Sequence, residues 1–358
     1  MQRAPGTNPQ RLPRCGIRIA WRRAGAVLIA LLALALPAAP QAAECGGEDL
    51  VARLATDDPS AHAALEAAAA AVPNGQARFW RVAREGLAPS FLLGTFHDTE
   101  ALATVPDGVL ARLDRASRLL VELTEEEFAA MEARMTSDPA FVLQLDGRGI
   151  LKRLPAEERA PIEAALAERG LTLELAKQLR AWMLFSLLAF PACQIEALSE
   201  GAEVMDKALI ARATAAGLPV AGLERYESAL AVFAKIPPEQ AYDLARDMIA
   251  LLDLEEDVRA TLLAAYRAGR IGRIKAFSDY IGRAMSGRSA EEAEALNAAF
   301  GEAVLDGRNR DWMARLVPAL EAGGAFVAVG ALHLPGASGL VALLRARGFT
   351  VEPEPETP

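Results

Sequence analysis

The chain has 358 residues, 52% of them hydrophobic, and a formal net charge of −9. That balance provides enough aliphatic surface for a buried core, and it excludes nucleic acid as an electrostatically held partner, which needs clustered cations. The arginines are concentrated near the start, so the remainder is more acidic still and has no basic stretch that would dock on anionic lipid.

Arg11, Arg14, Arg18, Arg22 and Arg23 precede an uncharged run from Ala24 to Ala43 that is broken by Pro37 and Pro40. A basic segment, an apolar segment and a small-residue exit read as a signal peptide over 1–43, giving a periplasmic or secreted protein. The apolar stretch Ala24 to Leu36 is short for a membrane span, so no stable membrane anchor is expected after cleavage. Glu44 before Cys45 argues against lipidation. Once the leader is gone, Cys45 and Cys193 are the remaining cysteines. In an oxidising compartment they are expected to pair, the alternative being two unrelated thiols.

The remaining ~315 residues suit one domain over 44–352, with a disordered tail at 353–358. Asp57 to Ala71 reads as an alanine-rich helix, and Ala77 to Arg84 with Ser90 to His97 as a hairpin. Pro106 to Ala116 is helical in spacing, and Leu119 to Leu123 is a short buried strand carrying one acid, Glu122. Helical patterns dominate two stretches, about 125–215 and 238–320, with the strand Leu218 to Glu224 between them. Leu173 to Leu188 reads as one helix within the first stretch. The chain closes with the strand Phe326 to Val329, a helix from Ser338 to Arg347 and the strand Phe349 to Glu352. Strands at both ends and helices between predict an α/β fold: a central mixed sheet built from both ends, covered by a large helical region.

Only three histidines occur, and two of them end matching phrases, Gly94-Thr95-Phe96-His97 and Gly330-Ala331-Leu332-His333. Each phrase follows a strand-like run, and parallel strands deliver their C-terminal ends to one edge, where α/β proteins keep their chemistry. Two imidazoles arriving there point to a shared site, most simply a metal site; hydrogen-bonded filler is the bland alternative. Gly94 and Gly330 are expected to serve close backbone approach or a sharp turn. His-Glu-x-x-His and Gly-x-Ser-x-Gly are both missing, which disfavours the common metalloprotease and serine-hydrolase designs.

Phe91 to His97, Val121-Glu122, Gly222-Leu223-Glu224, Arg308-Asn309 and Val329 to Gly336 occur in the order seen in the TraB/PrgY/GumN family. The chain resembles that family over nearly its whole mature length, and it is most similar to the bacterial GumN-like branch; the animal Tiki metalloproteases are relatives. The resemblance implies a mixed fold akin to erythromycin-esterase and ChaN-like proteins. It also implies a divalent ion (manganese, cobalt or zinc) on His97, Glu122 and His333, and a peptide or small amide or ester substrate. Glu224 would be a further ligand or a general base, against an ion pair with Arg225. Arg308 and Asn309 would hold a substrate carboxylate or an oxyanion, against an exposed polar helical stretch. A non-catalytic protein that sequesters a peptide or signal in the same pocket is the rival, and an iron-acquisition role is a third.

Overall fold

The computed structural model describes residues 45–357 except 147, 148, 150, 152–154, 235–243, 245, 246, 287 and 288. The expected leader over 1–43 and the expected helix start at Pro238 lie outside the described residues.

Six strands form one mixed sheet: β1 (Phe79–Ala83), β2 (Ser90–Thr95), β3 (Arg118–Val121), β4 (Val220–Gly222), β5 (Ala325–Gly330) and β6 (Thr350–Pro353). Their order is β4-β3-β5-β2-β1-β6. The four strands β4, β3, β5 and β2 are parallel, whereas β1 runs antiparallel to both β2 and β6. The late strand β5 therefore inserts between β2 and β3, and β6 closes the edge beside β1, so the sheet is assembled from both ends of the chain, as its strand pattern predicts. β5 is the run Ala-Phe-Val-Ala-Val-Gly with its first five residues buried, as a central parallel strand covered on both faces requires.

Alternate residues separate two cores. Phe79, Leu93, Leu119, Val121, Phe326 and Ala328 pack on one face with helices Asp107–Asp114, Met205–Ala215 and Glu255–Arg267. Trp80, Leu92, Leu120, Val327 and Val329 pack on the other with helices Gly307–Glu321 and Leu340–Ala346. Trp312 and Met313 belong to this second core. A separate helical core collects Ile162, Leu166, Leu179, Met183 and Leu184.

Several elements differ from the sequence reading. Helix Leu50–Asp57 precedes the expected first helix; Asp49 caps it, accepting from the Val51 and Ala52 N–H groups. The expected helix Leu173 to Leu188 is divided into Leu173–Ala176 and Ala181–Leu188. Between them the backbone turns aside to pair with 142–144: Gln144 N–H donates to Gln178 O, and Arg180 N–H to Val142 O. Helices Ala192–Ser199 and Tyr226–Ala234 were not expected as elements. The expected disordered tail is held in place as far as Glu356. Glu354 N–H donates to Phe79 O, its carboxylate pairs with Arg112, and Glu356 takes a two-pronged ion pair from buried Arg78. A guanidinium that is 2% exposed needs those oxygens, which is why so acidic a segment is ordered.

Cys45 and Cys193 form a disulfide across 148 positions. It joins the start of the described chain to helix Ala192–Ser199.

Candidate functional site

The register of the parallel strands determines where the chemistry meets. Thr95 of β2 lies beside Gly330 of β5, Val121 of β3 beside Ala328, and Gly222 of β4 beside Val121. The residues just past these ends are His97, His333, Glu122 and Glu224, so all four expected positions come to one sheet edge. Gly330 marks the point of convergence. A Cβ placed there would lie 3.2 Å from Glu122 Oε1, 3.5 Å from His333 Cδ2 and 4.0 Å from His97 Nε2. Gly94 serves close approach, since a Cβ there would meet Ala331 Cα at 2.8 Å.

Each histidine is anchored through its Nδ1. His97 Nδ1 lies 2.7 Å from Asp206 Oδ2, and Asp206 Oδ1 accepts from Thr95 Oγ1 at 2.5 Å. His333 Nδ1 lies 2.7 Å from Asn309 Oδ1. The Asn309 amide nitrogen donates to the carbonyls of His333 and Ser338. Its oxygen is then the acceptor, so His333 carries its proton on Nδ1 and turns the Nε2 lone pair to the cavity. Asn309, expected to face a substrate, instead sets the tautomer of a neighbour.

The two rings sit in opposed surroundings. His97 is more than half exposed toward the cavity, and the Asp206 carboxylate is the main influence that raises it to about 9. His333 is buried, with the Trp312 ring tilted against it at 4.4 Å, and burial presses it down to about 4. Near neutral pH, one imidazole therefore presents a proton to the cavity and the other presents a lone pair. Such a divergence is how paired groups become an acid and a base.

Glu122 is held as a carboxylate. Burial would raise it, but the charges of His333, Arg308 and His97, with the Gly330 N–H donating to Oε1 at 2.8 Å, bring it to about 2. At neutral pH, where His333 is uncharged, Arg308 and the protonated His97 are the cations that remain beside it. Arg308 Nη2 donates to Glu122 Oε2 at 2.5 Å and to Glu224 Oε1, while Nε donates to Glu224 Oε1 at 3.0 Å. Its Nη1 is 3.3 Å from His333 Nε2, and the guanidinium lies over the Trp312 ring. Glu224 thus pairs with Arg308; Arg225 pairs with Glu227.

His97, Glu122, Arg308 and His333 line a cavity of about 500 Å³. The donor chemistry suits a divalent ion: two imidazoles held through Nδ1 with Nε2 facing inward, as metal-bound histidines are, and a carboxylate oxygen 3.8 Å from one of them. Among the described residues, however, no three His, Cys, Asp or Glu side chains form a group that could hold a metal ion as they stand. Arg308 supplies the positive charge in that place, so Glu122 would join an ion only after Arg308 releases it.

Two functional residues escaped the sequence reading. Asp206 is 109 positions from His97, in the first turn of helix Met205–Ala215. Arg259 grips Asp98, the neighbour of His97, at 2.6 Å in a buried pair. Neither has a local sequence signal, because each acts on a residue more than a hundred positions away.

No curated protein matches the chain. The sequence profile of the TraB/PrgY/gumN family matches residues 78–353, which hold the whole sheet and every group at its edge, and the chain belongs to that family.

Proposed function

We propose that this chain is an exported hydrolase that cleaves a peptide or another amide or ester bond at the His97–Glu122–His333 edge, with a divalent ion as its cofactor. One observation carries the reading: two imidazoles on adjacent parallel strands, each anchored through Nδ1, face one cavity beside an ionised carboxylate. His97, Glu122 and His333 would hold the ion, which supplies an acidified water and a polarised carbonyl when bound.

The chain's own groups act around it. His333, fixed as the Nδ1–H tautomer by Asn309, would turn its Nε2 lone pair to the ion once Arg308 withdraws from it. His97, held through Nδ1 by Asp206, would give up its Nε2 proton to join the ion. Arg308 balances Glu122 and Glu224 and holds them in position until substrate or ion enters. The Cys45–Cys193 disulfide supports export, since such bonds persist in oxidising compartments.

The test is turnover of a mixed peptide and ester panel by protein purified without a metal-chelating tag, with and without added manganese, cobalt or zinc. Cleavage that is lost in His97→Ala and in His333→Ala, with folding intact, supports the reading. A folded protein that cleaves nothing but binds a peptide tightly would replace it with a sequestering role.

A further inference from the structure

The histidines supply only part of the cavity lining. Beyond them the described walls are formed by Leu188, Phe190, Met248, Leu251, Leu262 and Leu305, contributed by several helices from the middle of the chain. Polar side chains also reach this lining, but they are already satisfied within the protein. Asp98 gives both carboxylate oxygens to Arg259. Glu255 pairs with Arg169 and accepts the Ala192 N–H. Gln194 Oε1 accepts from the Thr99 N–H and hydroxyl.

A polar ligand group pushed past the histidines would therefore lose water and meet partners that are already taken. An apolar group would lose only unfavourable hydration. We infer that the ligand of this site is amphipathic: a carbonyl or carboxyl group at the histidine end, carrying a long apolar chain that fills the rest of the cavity. A fatty acyl chain and a large aliphatic or aromatic peptide side chain share that chemistry. The inference rests on the preceding reading for which end of the ligand is polar, and it holds for a ligand that is cleaved or merely held.

Calorimetric titration with straight-chain carboxylates from butyrate to dodecanoate tests it on the full mature chain. Affinity should rise about fourfold per methylene until the cavity is full. Ala189→Phe narrows the cavity without adding a polar atom. It should cut the affinity for the longest chains at least tenfold while leaving butyrate unchanged. Leu251→Gln should flatten the series, and circular dichroism would confirm that both variants fold. Affinity independent of chain length, or an Ala189→Phe variant that binds dodecanoate like the parent, overturns the inference. p-Nitrophenyl acetate, butyrate and octanoate separate it from the hydrolase reading. Rising carboxylate affinity without ester cleavage would sink hydrolysis and keep the apolar ligand, whereas cleavage that favours acetate would do the reverse.

Discussion

Replacing Arg308 with Met keeps most of the stem and removes the one guanidinium shared by Glu122 and Glu224. Arg308, Glu122 and Glu224 are 14%, 15% and 7% exposed, so solvent screens them little. The Glu122 carboxyl lies at about 2 against an ordinary 4.5, a difference worth about 3 kcal/mol between its two protonation states, to which His333, Arg308, His97 and the Gly330 N–H all contribute. Loss of one partner from a buried ion pair costs about 3–5 kcal/mol by an independent route. Because the folded value is depressed, this stability is present above pH 4.5 and is lost as pH falls through about 2. Urea unfolding of the oxidised protein should therefore show Arg308→Met destabilised by about 3 kcal/mol at pH 7 and by much less near pH 3. Manganese or zinc should restore stability to the variant, by about 2.7 kcal/mol at a hundredfold excess over Kd, because the freed Glu122 can join the two imidazoles. An equal loss at both pH values would mean that Arg308 contributes through its packing on Trp312, and the electrostatic account would fall. A variant that the ion leaves unchanged would count against the metal.

Asp206→Asn should bring His97 down from about 9 toward 6.5, readable in the ring proton shifts. In the parent chain that raised value contributes stability below pH 6.5 that fades as pH rises through 9, so the variant's deficit should shrink at high pH. Denatured, unreduced protein should have no titratable thiol at Cys45 or Cys193, and Cys45→Ser with Cys193→Ser should lose up to about 5 kcal/mol for a 148-residue separation. Ending the chain at Pro353 removes Glu356 from buried Arg78, and it should cost about 3 kcal/mol at pH 7. A melting temperature unchanged by that truncation would contradict the ordered tail.

The edge where four parallel strands end was legible because it depends on local patterns: apolar runs of strand length, each followed within three residues by His97, Glu122, Glu224 or His333. The parallel pairing of β2 with β5 follows from the same buried runs, Phe91 to Leu93 and Phe326 to Val329. Less legible was what each polar residue does after it arrives. Arg308-Asn309 reads equally well as an exposed helical stretch, and only the crossing of helix Gly307–Glu321 behind β5 turns one residue onto two carboxylates and the other onto His333. The break at 177–180 was hidden for a related reason: its partner, the backbone at 142–144, is remote in sequence.

The two Gly-x-x-His phrases look equivalent as sequence, and the fold makes them unequal. After β2 the chain runs out to an open cavity, so His97 keeps solvent on one side and gains an anion from helix Met205–Ala215 on the other. After β5 the chain turns at once into a short 3-10 segment beneath Trp312, so His333 loses solvent, takes a neutral amide on Nδ1, and has the opposed charges of Glu122 and Arg308 at Nε2. A carboxylate partner stabilises the imidazolium, whereas burial against an indole and an amide stabilises the neutral ring. Exchanging those partners tests whether the fold or the phrase determines the difference. Asn309→Asp should raise His333 from about 4, just as Asp206→Asn lowers His97. If both rings keep their values in the exchanged pair, depth of burial alone separates them, and the anchoring residues serve only to orient the rings.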